Sequence, residues 1–271
     1  MSEKTDSMSF LEHLEVLRGH LIRSAISILV FTIAAFFFKE FIFDSILLTP
    51  KNADFITNRL FCQLGHLMNT EKLCINTQQL ELQSIELAGQ FRVHLKISFF
   101  AGLILAFPYF IYELWRFIEP ALKVNEKKHA NGNVFYSSTL FMLGVCFGYF
   151  LIVPLTVNFL GGYEVSSQVD NNINIKSYIS TVTTLCLSTG LVFELPIIVF
   201  FLSKVGVLTP DLLRKYRKHS IVVFFILAGI ITPPDVISQI LVCLPLFVLY
   251  EISIGISRRI EKKREKELDE I

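Results

Sequence analysis

The sequence predicts an all-α polytopic membrane protein with six transmembrane helices in a concave bundle and both termini in the cytoplasm. Two observations predict the membrane spans. The 271 residues are 52% hydrophobic, whereas soluble domains average about 45–50% apolar residues. The apolar residues are also clustered, and one run without a charge includes the 30 positions 134–163. Because roughly 20 helical residues cross the ~30 Å hydrocarbon core, several runs are long enough to span a bilayer.

Six spans are predicted in chain order, within one membrane domain that covers 1–271. Their approximate ranges are 20–38, 97–114, 134–158, 177–203, 219–232 and 236–254. The fifth range ends at two consecutive prolines and leaves roughly 14–16 helical residues, or about 21–24 Å at 1.5 Å per residue. That length is short for a bilayer, so we expect local membrane thinning or shelter by neighbouring helices.

The distribution of Lys and Arg predicts the orientation of the chain. Basic residues concentrate between the second and third spans, between the fourth and fifth spans, and in the charged tail 258–271. The segment 159–176 has Lys176 as its single basic residue, and the long segment 39–92 has mixed charge. We therefore expect the N-terminal segment 1–19 and the tail in the cytoplasm of a bacterium. The segment 39–92 is expected in the periplasm, with helical structure of its own.

Several motifs that are typical of catalytic and cofactor sites are missing from the sequence. The sequence carries no zinc-protease, nucleophile-elbow, dinucleotide-binding or P-loop motif, so we expect neither an enzyme nor a cofactor. The six histidines show no metal-ligand spacing, so no metal is expected. A nucleic-acid partner is not expected either. Cys62 and Cys74 both lie in the segment 39–92, where an oxidising compartment permits a disulfide. Two free thiols are the alternative.

Glu194 is the most unusual residue of the chain. It follows 17 uncharged residues, 177–193, and precedes nine more. An ionised carboxylate at the bilayer centre costs about 2.5 kcal/mol or more, so such residues usually face a bundle interior or a wet cavity. Pro196 frees a backbone carbonyl in the preceding turn and adds a polar group at the same depth. We interpret Glu194 as a functional intramembrane polar site. The alternative is a packing carboxylic acid hydrogen-bonded to a neighbouring helix.

The third span contains the motif GVCFG, in which Gly144 and Gly148 lie one helical turn apart. Small residues at this spacing allow two helix backbones to approach closely. Packing within the chain is the expected role of this motif.

Carboxylates also concentrate near the predicted cytoplasmic face. Glu12 and Glu15 lie on an amphipathic N-terminal helix, and Glu119 and Glu126 follow the second span. Because arginine binds carboxylates through two parallel hydrogen bonds, these acids are suited to a cationic ligand. Solvated surface charge is the alternative.

A third polar group lies in the turn between the fifth and sixth spans, and it contains Thr232, Asp235 and Gln239. Asp235 is expected to cap the sixth span by accepting from backbone N–H groups. Gln239 lies one turn further into the membrane, where a hydrogen bond to a partner helix is expected.

These residues together resemble the TatC family, the multispanning core of the twin-arginine protein translocase. The resemblance covers essentially the whole chain. It rests on the strings FLEHLEVLR, FPYFIYELWRFIEPALKVNEKK, GLVFELP and IITPPDVISQ.

The resemblance implies a receptor for signal peptides that carry consecutive arginines. Members of the family move folded proteins outward, energised by the proton-motive force and without a nucleotide. They work in the bacterial inner membrane with small single-span proteins of the TatA and TatB type. Self-association within a larger complex is expected.

The resemblance also implies roles for particular residues. Glu126 matches the glutamate that recognises arginine, and Phe117 and Leu122 match neighbouring positions of the signal-peptide site. Glu194 matches the intramembrane glutamate of the family. The residues Thr232, Asp235 and Gln239 match the cluster where partner helices are thought to dock.

The N-terminal motif departs from the family pattern at one position. The family commonly has a glutamate where this chain has Val16, and Arg18 is retained. The nearest remaining glutamate is Glu15, and a shift of one residue turns a helical side chain by about 100°. Either Glu15 or Glu12 replaces the missing group, or Glu126 carries more of the arginine recognition.

A different class of function also fits an intramembrane carboxylate. A proton-coupled small-molecule transporter could use Glu194, and it would show substrate uptake by the purified chain in liposomes. Its polar residues should line one central path. The predicted polar groups instead lie at three depths, which favours the receptor.

Overall fold

The computed structural model of the protein describes residues 10–69, 74–75, 80–118, 130–163, 166, 171–232 and 236–269. Side chains are described over the same ranges except at four helix ends, 10–13, 130–131, 236–238 and 263–269. The fold of these residues is all-α, as the sequence predicts.

Ten α-helices are present in the described part of the chain. They are α1 (Phe10–Phe37), α2 (Ile56–Leu67), α3 (Gly89–Ile118), α4 (Ala130–Phe147), α5 (Val153–Gly161), α6 (Ile175–Val192), α7 (Leu195–Val205), α8 (Pro210–Lys215), α9 (Arg217–Ile231) and α10 (Val236–Asp269). Two π-helical segments, Phe41–Leu47 and Gly148–Ile152, and one 3₁₀ segment, Thr49–Lys51, extend them. The strands β1 (Leu82–Gln83) and β2 (Ile173–Asn174) pair in parallel.

Five helical segments among the described residues are long and apolar enough to cross a membrane. They are Leu14–Phe37, Gly89–Ile118, Gly132–Gly161, Ile175–Val205 and Gln239–Lys262. These segments correspond to the first, second, third, fourth and sixth predicted spans. The fifth predicted span corresponds to α9, whose 15 residues extend only about 22 Å. A membrane crossing by α9 therefore stays a prediction.

The chain forms two compact units. The first comprises Met1–Lys39 and His94–Thr139, and the second comprises Glu40–Val93 and Leu140–Ile271.

Within the first unit, α1 and α3 run antiparallel. A Cβ atom added to Gly102 of α3 would lie 2.6 Å from the backbone nitrogen of Thr32 in α1, so the two backbones are in close contact. Further along, the rings of Phe36 and His94 stack with their centroids 4.1 Å apart. Late residues of α1 thus meet early residues of α3. Consequently the N-terminal end of α1 lies beside the C-terminal end of α3.

In the second unit, the fourth predicted span is interrupted at its middle. α6 ends at Val192, a turn covers Phe193 and Glu194, and α7 follows. Pro196 lies in the first turn of α7, where the missing N–H breaks no helical hydrogen bond. A continuous helix would place the proline ring against the carbonyl of Val192. The proline therefore accounts for the break beside Glu194.

The predicted close approach at Gly144 and Gly148 is confirmed. A Cβ atom on Gly144 would lie 2.6 Å from the carbonyl oxygen of Thr189 and 2.8 Å from Cα of Gly190, both in α6. One turn later, a Cβ atom on Gly148 would meet Cys186, at 3.1 Å from its Cα. The absence of side chains at both glycines allows the third span to pack directly against α6.

α10 is held to the preceding helices by polar side chains as well as by apolar contacts. The hydroxyl of Ser203 in α7 donates to the hydroxyl of Ser257 at 2.9 Å, and both residues are buried. The hydroxyl of Tyr250 donates to the carbonyl of Leu213 at 2.7 Å. α10 continues to Asp269, so the described part of the charged tail is a helical extension of the last span.

The segment predicted to be periplasmic has helical structure of its own, as expected. It contains α2 and the π-helical and 3₁₀ turns that precede it. Buried Asn58 of α2 donates its amide to the carbonyls of Pro50 at 3.2 Å and Asn52 at 2.7 Å. A disulfide joins Cys62 of α2 to Cys74. These contacts give the segment a folded structure.

An ion-pair cluster lies beside the two short strands. Glu86 accepts from Lys176 at 3.1 Å and from Arg92 at 2.9 Å. The hydrogen bond and the charge of Lys176, together with the charge of Arg92, lower the pKa of Glu86 below its ordinary value of 4.5. The pKa of Glu86 is lower in the folded protein than in the unfolded chain. The two ion pairs therefore contribute to stability at pH values above the ordinary pKa of the carboxyl group. This contribution is lost as the pH falls through the lowered pKa.

We therefore expect the amide protection of β1 and β2 to decrease at acidic pH in the wild type. The effect should be small, since the cluster is exposed and salt weakens it. Hydrogen exchange measured from pH 7 to pH 3, after correction for the intrinsic exchange rate, tests this expectation. In the variant Glu86→Gln, the decrease in amide protection at acidic pH should be absent. An identical pH dependence in Glu86→Gln would contradict the assignment.

Candidate functional site

The first unit contains a buried polar cluster centred on Glu113, whose side chain is 2% exposed. Its Oε2 atom lies 2.6 Å from Nδ1 of His20 and accepts from Nε of Arg23 at 3.0 Å. Its Oε1 atom accepts from the hydroxyl of Tyr109 at 2.8 Å. Both oxygens of the carboxylate are thus engaged by side chains of α1 and α3.

Helical spacing places these groups together. Tyr109, Glu113 and Phe117 recur every four residues in α3, so they lie on one face of that helix. His20 and Arg23 are three residues apart in α1 and share the face that meets α3. The antiparallel packing of the two helices then brings the pair from α1 against the carboxylate.

The environment of Glu113 combines burial with several donors. Burying a carboxylate is costly unless it is paired and hydrogen-bonded. Here one neighbour, Arg23, is always charged, and the hydroxyl of Tyr109 adds a neutral donor. The cluster can therefore hold a negative charge close to the end of an apolar helix, where it can bind a cation.

The predicted signal-peptide residues that the structure describes lie at this same end of the helix pair. Phe117 is half-buried, and its ring meets the ring of His20 edge-on with centroids 6.1 Å apart. Glu15 and Arg18 are exposed on α1. For Glu12 only the backbone is described, and it belongs to α1.

Two further predicted residues of this group, Leu122 and Glu126, lie outside the described residues. The segment that contains them directly follows the C-terminal end of α3, which lies beside the N-terminal end of α1. Their assignment stays a prediction.

Glu194 lies in the second unit at the break between α6 and α7. The residue is buried, with 8% of its surface exposed. Its carbonyl accepts from the N–H groups of Ile197 at 3.0 Å and Ile198 at 3.1 Å, and its side chain does not cap α7. The helix break therefore places a carboxyl group in the interior of the fourth span.

The structure describes two of the three predicted partner-binding residues. Thr232 is buried, and its hydroxyl donates to the carbonyl of Ala228 at 2.8 Å. The amide of Gln239 donates to the carbonyl of Phe225 at 2.9 Å, so it joins the start of α10 to α9. Asp235 lies outside the described residues, and its capping role stays a prediction.

One group within the described ranges has side chains that commonly bind metals. The ligand atoms of Cys62, His66 and Cys74 all lie within 4.8 Å of one another. The disulfide uses both sulfur atoms, so neither cysteine offers a thiolate in this form. The group therefore does not act as a metal site while the disulfide is intact.

Sequence reasoning did not identify Glu113, His20, Arg23 or Tyr109 as site residues. A signal was present, because Glu113 is a carboxylate inside the second predicted span, 97–114. Its partners in α1 are about 90 positions away in the chain, and their contact depends on how α1 packs on α3.

Comparison with known proteins gives consistent matches over nearly the whole chain. A family model described as Sec-independent protein translocase protein (TatC) matches residues 12–245. The Sec-independent protein translocase protein TatC of Blattabacterium sp. subsp. Periplaneta americana (strain BPLAN) is 40% identical over 266 residues. This alignment covers 97% of the present chain and 100% of the relative.

Two crystal structures of the twin arginine translocase receptor TatC have similar folds. One has a TM-score of 0.68 at 34% identity, and the match covers 92% of the present chain and 100% of that chain. The other, in DDM, has a TM-score of 0.71 at 35% identity, with coverage of 91% and 99%.

Proposed function

The chain belongs to the TatC family of Sec-independent protein translocases, and from this membership we propose that it is the signal-peptide receptor of a twin-arginine export machinery. Members of this family are components of a protein transport system and are not enzymes. In this proposal the chain binds signal peptides with paired arginines and supports the transport of folded proteins, driven by the proton-motive force. The family match favours this function over a small-molecule transporter that uses Glu194.

The observation that carries the proposal is the antiparallel packing of α1 and α3. It supports a shared location for the N-terminal motif, which contains Glu15 and Arg18, and for the segment that follows Ile118. Residues that are about 100 positions apart in the sequence can thereby act on one ligand. A signal peptide would reach carboxylates from both helices at this end of the pair.

The proposed recognition step is electrostatic. Glu126, helped by Glu15 or Glu12, would bind the two guanidinium groups of the signal peptide through charge-assisted hydrogen bonds. Such bonds are roughly twice as strong as neutral ones, and arginine presents two donors in parallel. Phe117 and Leu122 would contact the apolar residues beside the arginines.

The apolar part of the signal peptide would then enter the membrane beside the helices, towards the depth of Glu194. Glu194 is buried and is the one Asp, Glu, Lys or Arg residue between Ser177 and Ser203. A polar partner at this depth is valuable in lipid, because water is absent there. We propose that Glu194 contacts the inserted signal or a helix of a partner.

The membrane orientation and the partners complete the proposal. The chain is placed in a bacterial inner membrane with both termini in the cytoplasm, because basic residues concentrate in the corresponding loops and tail. Single-span proteins of the TatA and TatB type would dock near Thr232, Asp235 and Gln239. Several copies of the chain would assemble in one complex.

Export of a folded reporter protein tests the proposal. Cells that lack their own TatC and express this chain, with matching single-span partners, should export a reporter that carries a twin-arginine signal. Export should stop when both arginines are replaced by glutamine or when the proton-motive force is collapsed. Export of the glutamine reporter at an equal rate would refute the receptor function.

A further inference from the structure

The buried carboxylate of Glu113 already holds an arginine, and this arginine comes from the chain itself. We propose that Glu113 is an additional guanidinium-binding group of the signal-peptide site, and that Arg23 is a resident occupant which an arginine of the signal peptide displaces. The inference rests on the proposed receptor function and adds a residue, Glu113, and a competitor, Arg23, to it.

The contact between Arg23 and Glu113 uses only part of the arginine fork. Arg23 reaches Glu113 through its Nε atom alone, at 3.0 Å from Oε2. The other oxygen, Oε1, is taken by the hydroxyl of Tyr109 at 2.8 Å. The pair therefore lacks the two parallel bonds that make arginine–carboxylate contacts strong and specific. A guanidinium that presents two parallel N–H groups to the two oxygens would form the stronger contact.

One nitrogen atom of His20 faces both Glu113 and Arg23. Its Nδ1 atom lies 2.6 Å from Oε2 of Glu113 and 3.0 Å from Nη2 of Arg23. If Nδ1 carries a proton, it donates to the carboxylate and faces the N–H of Arg23 as a second donor. If Nδ1 carries no proton, it accepts from Arg23 and turns its lone pair towards an ionised carboxylate.

With or without a proton on Nδ1, His20 can form a hydrogen bond with only one of its two neighbours, Glu113 or Arg23, when Glu113 is ionised. The short distance to Oε2 fits a proton on Nδ1, and Arg23 is then the group with the incomplete set of bonds. An incomplete set lowers the cost of removing Arg23, because fewer hydrogen bonds are lost on exchange.

The side chain of Arg23 covers the carboxylate of Glu113. The side chain of Glu113 is 2% exposed, but that of Arg23 is 48% exposed. The carboxylate is thus covered on one side by a half-exposed side chain. Movement of Arg23 towards the nearby cytoplasmic end of the helix pair would uncover Oε2 without unfolding either helix, and a long arginine side chain near a helix end can place its charge in the hydrated interface.

Glu113 lies close to a residue of the proposed signal-peptide site. Glu113 lies one turn before Phe117 on the same face of α3, and His20 contacts both residues. The carboxylate is therefore next to a side chain of the proposed peptide site. An arginine bound at Glu113 would place the following residues of the peptide beside Phe117.

If Arg23 competes with the peptide, removing Arg23 should strengthen peptide binding, whereas removing the charge of Glu113 should weaken it. The full chain is purified in detergent, and binding of a fluorescent twin-arginine signal peptide is measured for the wild type, Arg23→Gln, Glu113→Gln and the double variant. Arg23→Gln should tighten binding by about threefold or more, because the competitor is gone. Glu113→Gln should weaken it by about tenfold, the effect of about 1.4 kcal/mol. Arg92→Gln, which removes an arginine from the exposed cluster at Glu86, should leave binding unchanged.

The double variant separates competition from a structural effect. In the Glu113→Gln background, Arg23→Gln should no longer tighten binding. Weaker or unchanged binding by Arg23→Gln alone would overturn the proposal, and so would tightening that persists in the double variant. Because Arg23 is half-exposed, Arg23→Gln keeps the test decisive even if Glu113→Gln does not fold.

The same measurement distinguishes this proposal from the receptor function. If the wild type prefers arginine over glutamine peptides and Arg23→Gln has no effect, the role of Arg23 is refuted and the receptor function stands. If the wild type binds both peptides equally, the receptor function itself fails.

Discussion

Replacing Glu126 with glutamine is expected to reduce binding of a twin-arginine signal peptide by about tenfold or more, while the protein still inserts into the membrane. The substitution keeps the size of the side chain and removes the charge, so each guanidinium contact loses its charge-assisted character. A loss of about 1.4 kcal/mol corresponds to tenfold in affinity. Photo-crosslinking between purified protein and a peptide with a probe beside the arginines measures the effect.

A matched control is available for Glu126→Gln. Glu261→Gln makes the same change of charge on the helical extension of α10, on the side predicted to be cytoplasmic. It should leave crosslinking unchanged. An equal loss in both variants would indicate a general effect of net charge, and unchanged crosslinking in Glu126→Gln would remove Glu126 from the site.

Replacing Gly144 with leucine is expected to destabilise the protein by about 3 kcal/mol or more. The first atom of the new side chain would lie 2.6 Å from the carbonyl oxygen of Thr189 and 2.8 Å from Cα of Gly190. Both obstacles are backbone atoms of α6, so they cannot rotate away. Overpacking a close contact typically costs about 1–3 kcal/mol, and a clash with backbone belongs at the upper end.

The same change at Gly132 serves as the control. Gly132 is also in α4, and an added Cβ atom there meets nothing within 4 Å. Thermal unfolding in detergent should show a large decrease in the midpoint for Gly144→Leu and little change for Gly132→Leu. Equal midpoints for the two variants would contradict the close packing of α4 on α6.

The membrane spans were predictable from the sequence because they depend on local composition. Long uncharged runs place five apolar helices. Pro196, two residues after Glu194, predicts a freed backbone carbonyl at that depth, but the division of the fourth span into α6 and α7 is seen only in the structure. The glycine spacing at Gly144 and Gly148 also predicts a contact, because any neighbouring helix can use it. The partner of that contact, α6, depends on the fold and was not predictable from one segment.

The cluster at Glu113 shows why part of the candidate site could not be predicted. Its members come from two helices that are distant in sequence, and single charged residues near a span end are usually solvated. Burial gives Glu113 its importance, and burial follows from the packing of α1 on α3. This cluster also supplies a carboxylate that the N-terminal motif lacks at Val16, which offers one answer to that departure.

Binding of paired arginines by carboxylates can be measured in a single titration. Purified wild-type protein is titrated with two signal peptides that differ only at the arginine pair, one with two arginines and one with two glutamines. We predict that the arginine peptide binds at least about a hundredfold more tightly, from two charge-assisted contacts of about 1.4 kcal/mol each. Equal affinity for the two peptides would contradict the account.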